Sequence, residues 1–219
     1  MNLSSKFESL QSSAERQLHA LSSGKKTENA LVLPFFEALG YDPFNVREVE
    51  PEFEVGREGQ EMKSIDYALK KDGVPIVLVQ CAEAKTNLDV FEDHFLFDSF
   101  DDLEADVVAF TNGLSYRLYA PLRSEANVDP RPFLEFNLLD FGPEQIEVLR
   151  QLSKSAFDPE KIRALAHHRQ SSRLLRRYLA RQAQTPDDHF VRFLAAQVYQ
   201  GEGAVDRIDQ FRGVVETIL

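Results

Sequence analysis

The sequence predicts an α/β fold in which a central mixed β-sheet is flanked by helices and followed by a C-terminal helical extension. Three patterns carry this prediction. Helical periodicity dominates residues 2–39, short alternating or apolar segments occupy residues 47–139, and helical spacing returns after residue 143. We therefore expect an α/β domain over residues 1–150 and a helical extension over residues 151–219 that packs on it.

The first two predicted helices are amphipathic. Apolar residues recur at helical spacing over residues 2–21, and a second periodic stretch covers residues 28–39. Thr27 is suited to cap the N-terminus of the second helix, and Gly40 is suited to end it. Pro34 lies inside this stretch, and we expect a kink or a restart there, because proline removes a backbone donor and clashes with the preceding turn.

The segments between residues 47 and 139 are typical of strands. Residues 47–56 and 64–69 alternate polar with apolar side chains, which indicates half-buried strands. Residues 75–81 are almost wholly apolar and predict a central strand that is buried on both faces. Residues 106–110 and 114–119 predict another buried strand and its partner, and residues 133–139 predict an edge strand. An acidic, phenylalanine-containing helix is expected over residues 88–103.

Composition limits the function classes. The chain has 219 residues and a net charge of −11. Residues 1–150 hold 28 acidic and 14 basic side chains, whereas residues 151–219 hold 8 and 11. The acidic body disfavours nonspecific DNA binding, because phosphate backbones are bound through basic side chains. Neither a signal-peptide pattern nor a long apolar stretch occurs, so we expect a cytoplasmic protein with no membrane partner.

Asp66 and the residues at the end of the central strand form the candidate site. A hairpin with an acid near the end of its first strand and polar residues emerging from a buried second strand is a common seat for a divalent metal. Here the acid is Asp66. The period of two along the second strand places Gln80 and Ala82 on one face and Glu83 and Lys85 on the other. The two faces therefore offer different chemistry.

Four segments of the chain carry a resemblance to a known family. They are TENALVLPFFEALGYD at residues 27–42, VEPEF, KSIDYALKKDGVPIVLVQCAEAKTNL and FTNGLSYRLY, with a looser likeness through EFNLLDFGPEQIEVLRQLSKSAFD. These segments resemble the N-terminal module of type I restriction endonuclease motor subunits, which belongs to the PD-(D/E)XK nucleases. The remaining tail resembles stand-alone bacterial and prophage members. The resemblance implies a restriction-endonuclease-like fold.

The same resemblance implies roles for individual residues. In such nucleases an aspartate and a second acid bind magnesium, and a lysine two positions on helps to activate the attacking water. Asp66 matches the metal aspartate, and Glu28 matches a helical glutamate that supports the metal. Gln80 stands where the second acid belongs, and Ala82 stands where the lysine belongs. Because an amide removes a negative charge and alanine cannot orient water, we expect a degenerate active site.

Two alternatives remain open, so the sequence leaves undecided whether the chain is an enzyme. If the strand ends or bulges at Ala82, Glu83 could serve as a metal ligand and Lys85 as a migrated lysine, which would give a magnesium-dependent endonuclease. A purely protein-binding module that uses the acidic helix predicts neither metal nor DNA affinity. ATP is not expected, because no GxxxxGK motif occurs.

The C-terminal part carries the basic cluster of the sequence. Arg173, Arg176 and Arg177 are candidates for contact with nucleic acid. The cluster equally suits docking on the acidic body or on a second subunit, which the charge of residues 1–150 favours. We therefore expect DNA, a protein partner, or a homodimer through the C-terminal helices. The leading hypothesis is a nuclease-fold protein from a restriction or prophage context, impaired in cleavage, that associates with DNA or with protein.

Overall fold

The computed structural model describes residues 2–21, 23–56, 62–91, 105–120, 131–198 and 208–218. The chain divides into two compact units, Met1–His167 and His168–Leu219. Among the described helices, none has both the length and the apolar character that a membrane span requires.

Within the described ranges, six strands form one sheet in the order β1-β2-β3-β4-β5-β6. The strands β3 and β4 are parallel, and every other pair of neighbours is antiparallel. The sheet is therefore mixed, as the sequence predicted, with β3 in its interior and β6 at one edge. The strand bounds are β1 Val49–Val55, β2 Lys63–Lys71, β3 Val74–Cys81, β4 Val107–Thr111, β5 Ser115–Tyr119 and β6 Leu134–Asn137.

Helices precede and follow the sheet, which makes the fold an α/β fold. Of the helix expected over residues 88–103, the structure describes residues 88–91, and residues 92–103 lie outside the described part of the chain. The helix bounds are α1 Leu3–Gln17, α2 in three consecutive segments (Gly24–Thr27, Glu28–Val32 and Leu33–Ala38), α3 Leu88–Phe91, α4 Pro143–Leu152, α5 Pro159–Gln184, α6 Asp188–Val198 and α7 Ile208–Ile218.

The second helix, α2, begins earlier than predicted, and it restarts near the proline as predicted. Its N-cap is Ser23, whose side chain accepts a hydrogen bond from the backbone of Lys26, so the prediction of Thr27 as the cap is wrong. The middle segment, Glu28–Val32, is π-helical, and a new α-helical segment begins at Leu33 with Pro34 in its first turn. Proline is tolerated in the first turn of a helix, so the predicted restart is confirmed. Gly40 has a φ of +94°, as expected for a residue that follows a helix.

Two hydrophobic clusters cover the two faces of the sheet. The larger one packs the sheet against α1, α2 and α4, and in it the ring of Tyr116 stacks with those of Phe35 and Phe136, at centroid distances of 4.1 and 5.1 Å. The smaller one lies on the opposite face. Val79 belongs to the larger cluster and Leu78 to the smaller one, which confirms that β3 is buried on both faces.

The pairing of β1 with β2 is irregular at Asp66. Tyr67 belongs to the larger cluster and Ile65 to the smaller one, although a regular pleat would keep these two residues on the same face. Opposite Asp66 in the register, Glu52 has a φ of +51°, which is uncommon for a residue with a side chain. The candidate metal aspartate therefore lies where the alternation of β2 changes face.

Candidate active site

Asp66 contacts the end of β3 directly. One carboxylate oxygen, Oδ2, accepts a hydrogen bond from Nε2 of Gln80 at 2.7 Å and another from the backbone N–H of Cys81 at 2.6 Å. Because an ionised carboxylate only accepts hydrogen bonds, the Gln80 amide has to present its nitrogen to this oxygen. The structure thus brings together two of the residues that the sequence singled out.

Glu28 lies in the π-helical segment of α2 and is 8% exposed. Its Oε2 accepts hydrogen bonds from the hydroxyl of Tyr67 at 2.7 Å and from Nζ of Lys25 at 3.1 Å. Tyr67 neighbours Asp66 on β2, so the hydroxyl connects the helix to the strand that carries the aspartate. Lys25 supplies a positive charge beside this buried carboxylate, while most of its own side chain remains in solvent.

The electrostatics of the site disfavour negative charge. Burial raises the pKa of Asp66, the N–H of Cys81 opposes that shift, and the charge of Glu28 adds to it. The pKa of the Cys81 thiol is also raised, first by burial and then by the charges of Asp66 and Glu28. A thiol with a raised pKa stays protonated near neutral pH, so Cys81 is unsuited to act as a nucleophile.

The residues that follow β3 do not join the side chains around Asp66. The strand ends at Cys81, as the rearranged-site alternative requires, and the N–H of the buried Ala82 donates to the carbonyl of Thr111 at 2.7 Å. Glu83 and Lys85 are exposed, and neither donates to nor accepts from Asp66. The structure therefore places the candidate migrated acid and lysine in solvent.

The turn that carries Glu83 and Lys85 is tied to α2 and to the β4–β5 turn. The backbone N–H of Ala84 donates to the Thr27 hydroxyl at 3.3 Å, and Nδ2 of Asn112 donates to the carbonyl of Thr86 at 2.8 Å. Gly113 packs directly under α2, where an added Cβ would lie 2.6 Å from a methyl carbon of Thr27. These contacts set the position of the helix that presents Lys25 and Glu28.

Magnesium does not fit this arrangement as it stands. Gln80 directs an amide nitrogen at Asp66, whereas a metal ligand would have to direct an oxygen into the site. Within the described ranges, no three His, Cys, Asp or Glu side chains are grouped closely enough to hold a metal ion. Glu28 and Asp66 each already accept two hydrogen bonds on one carboxylate oxygen.

Sequence reasoning missed Lys25 and Tyr67. Lys25 precedes Glu28 by one helical turn, a spacing that brings side chains together, but the helix was expected to begin only after Thr27. An alternating strand places Tyr67 beside Asp66, and that adjacency was the one available signal for its role. The partner of its hydroxyl could not be found in this way, because Glu28 is brought to it by the packing of α2 on the sheet.

The basic candidates lie on α5 in the second unit. Arg176 and Arg177 are exposed and Arg173 is partly buried. Their spacing of three and four residues places them on one side of the helix. This side could meet a phosphate backbone or an acidic protein surface.

The described residues form an α/β protein with a mixed six-stranded sheet, in which the carboxylates of Asp66 on β2 and Glu28 on α2 lie near the end of β3. No family model, curated protein or solved structure matches this chain. The geometry of the site is therefore the basis for inferring a function.

Proposed function

We propose that the chain is a restriction-endonuclease-like protein, similar to the N-terminal module of type I restriction motor subunits, that has lost efficient DNA cleavage. In this proposal it acts as a module that associates with DNA or binds protein. The observation that carries the proposal is the 2.7 Å hydrogen bond from the Gln80 amide to Asp66.

This hydrogen bond satisfies the Asp66 carboxylate in the place where a nuclease of this kind would use a metal ion. Two carboxylates at positions 66 and 80 would repel each other unless a cation lay between them. With glutamine at position 80, the repulsion is absent and the amide satisfies the aspartate directly. Asp66 and Gln80 can therefore lie together without a metal ion. A metal bound beside them would lack one negatively charged ligand.

The missing lysine supports the same proposal. Ala82 is buried, and no described residue near Asp66 takes up the role of a lysine from β3. Lys25 approaches from α2, but its ammonium group is held by the Glu28 carboxylate. Stabilisation of negative charge on an attacked phosphate would therefore depend on a cation that is already paired.

A cleavage assay tests the proposal. Supercoiled and linear DNA are incubated with magnesium or manganese and with the parent protein, Asp66→Ala, Lys85→Ala, or the double variant Gln80→Glu/Ala82→Lys. We expect no cleavage by the parent and a gain of metal-dependent cleavage in the double variant. Adding Asp66→Ala to the double variant is the matched control and should abolish the gain.

Cleavage by the parent that either alanine change abolishes would overturn the proposal and establish the rearranged site with Glu83 and Lys85. Because a lysine at buried position 82 can prevent folding, circular dichroism spectra of all variants accompany the assay. Calorimetric titration with manganese provides a second test, in which Gln80→Glu alone should bind manganese more tightly than the parent, since it restores one ligand charge.

A further inference from the structure

The loop between α2 and β1 presents two large apolar side chains to solvent. Phe44 is 89% exposed and Val46 is 65% exposed. Neither side chain contributes to the two hydrophobic clusters of the fold. We call residues 42–48 the Phe44 loop. A single exposed apolar residue is ordinary on a protein surface, so the conformation of this loop decides whether the exposure has meaning.

The Phe44 loop is held by a dense set of hydrogen bonds. Oδ1 of Asp42 accepts from the backbone of Phe44 at 3.0 Å, and Oδ1 of Asn45 accepts from the backbone of Arg47 at 3.1 Å. The Glu48 carboxylate accepts from the backbone of Asp42 and from the Asn45 side chain. Phe44 is therefore displayed by a fixed backbone, which reduces the entropy lost when a partner binds.

A groove on the same unit offers a complementary shape. It lies between α1 and α2 and has a volume of about 360 Å³. Leu10 and Ala38 are its buried residues, and Ser9, Ser13 and Pro34 line it as well. A depression with buried apolar side chains and small serines in its lining has room for an inserted aromatic side chain.

Charges of both signs flank the loop and the groove, and they can pair as opposites. Lys6 and Glu37 line the groove, and Asp42 and Arg47 flank Phe44 on the loop. Within the described residues, none of these four side chains forms an ion pair. A second copy of the chain can therefore offer Arg47 to Glu37 and Asp42 to Lys6 when Phe44 enters the groove. The loop follows α2 closely, so one twofold interface can contain both features.

We propose that the chain forms a twofold dimer in which Phe44 of each copy inserts into the α1–α2 groove of the other. The proposal is independent of the proposed function, because no residue of the candidate active site takes part. The groove is lined by one acidic and one basic side chain and the loop carries two acidic and one basic, and a surface without net positive charge disfavours nucleic acid as its occupant.

Sedimentation velocity over a range of concentrations tests the dimer with the full chain. We expect a concentration-dependent dimer for the parent. Phe44→Ala, which removes the inserted ring, and Ser9→Leu, which fills the groove, should each weaken the dimer about tenfold or more. Phe193→Ala is the matched control, because Phe193 is also a largely exposed phenylalanine but lies on α6 in the second unit. It should leave dimerisation unchanged.

Mixing and charge reversal make the test specific. Equimolar Phe44→Ala and Ser9→Leu should form a heterodimer more readily than either forms a homodimer, because one intact loop then meets one intact groove. Arg47→Glu should weaken the dimer, and adding Glu37→Arg should restore it. A parent that stays monomeric at all concentrations, or a dimer that Phe193→Ala abolishes and Phe44→Ala does not, overturns the proposal.

Discussion

Asp66 is a carboxylate whose charged form the folded state disfavours, because burial and the nearby charge of Glu28 raise its pKa. A folded-state pKa above the unfolded value means that the native protein binds the proton more tightly. Stability due to this group is therefore present at low pH and is lost as pH rises from the unfolded pKa through the folded one. This sign is opposite to that of a carboxylate held by a salt bridge.

Asp66→Asn should consequently stabilise the protein at neutral pH. Asparagine retains an oxygen that accepts from Cys81 and Gln80, and it removes the unfavourable charge. We expect a gain of about 0.5–1 kcal/mol, reduced by the partial exposure of the site to solvent. Urea denaturation at several pH values measures this gain, with Asp140→Asn as an exposed control that should change little. Lower stability of Asp66→Asn at neutral pH would contradict the stated cause of the shift.

At the scale of elements, the contact of the β4–β5 turn with α2 depends on a glycine. Gly113 has a φ of +80°, and an added Cβ would meet Thr27 and Leu31 at 2.6–3.1 Å. Gly113→Ala should therefore cost about 2–4 kcal/mol in the free energy of unfolding, because strain in the backbone is joined by a clash with the helix. Urea denaturation followed by circular dichroism measures the loss.

Gly73 provides the matched control for that measurement. Its φ is +83°, but an added Cβ would have no neighbour within 4 Å. Gly73→Ala should lower the free energy of unfolding only by the cost of a left-handed backbone, about 1–2 kcal/mol. If the two variants lose equal stability, the contact between Gly113 and α2 contributes nothing, and α2 is positioned by other parts of the fold.

The sequence predicted the strands well and the contacts of the site only in part. Apolar runs such as residues 75–81 directly signal a strand that is buried on both faces. Asp66 could be singled out because it is a charged residue within a half-buried strand. The partner of Asp66 depends on the register of β2 against β3, which shifts between Leu69 and Lys70. No residue pattern marks such a shift. Ser23 caps α2 one turn before Thr27, the residue that the sequence predicted as the cap.

At the scale of the whole molecule, charge is unevenly distributed along the chain. The acidic larger part disfavours DNA binding, whereas one basic stretch of helix favours it. Residues 168–184 contain five arginines and no acidic residue, whereas residues 1–150 are strongly acidic. If the chain associates with DNA, the contact belongs to α5, because counterion release requires several basic side chains that face the backbone together. If it binds protein instead, α5 can meet an acidic surface.

Arg176→Ala/Arg177→Ala distinguishes these two outcomes. For DNA association, we expect fluorescence anisotropy to show weaker binding of duplex DNA at low salt, and a salt dependence of log K that is smaller by about 2, since each lost phosphate contact removes about 0.9 from the slope. Arg150→Ala/Arg192→Ala removes the same charge from other exposed positions and should have a smaller effect. Equal effects of the two variants would mean that only net charge matters, and no binding by the parent would leave the protein-binding role as the proposed one.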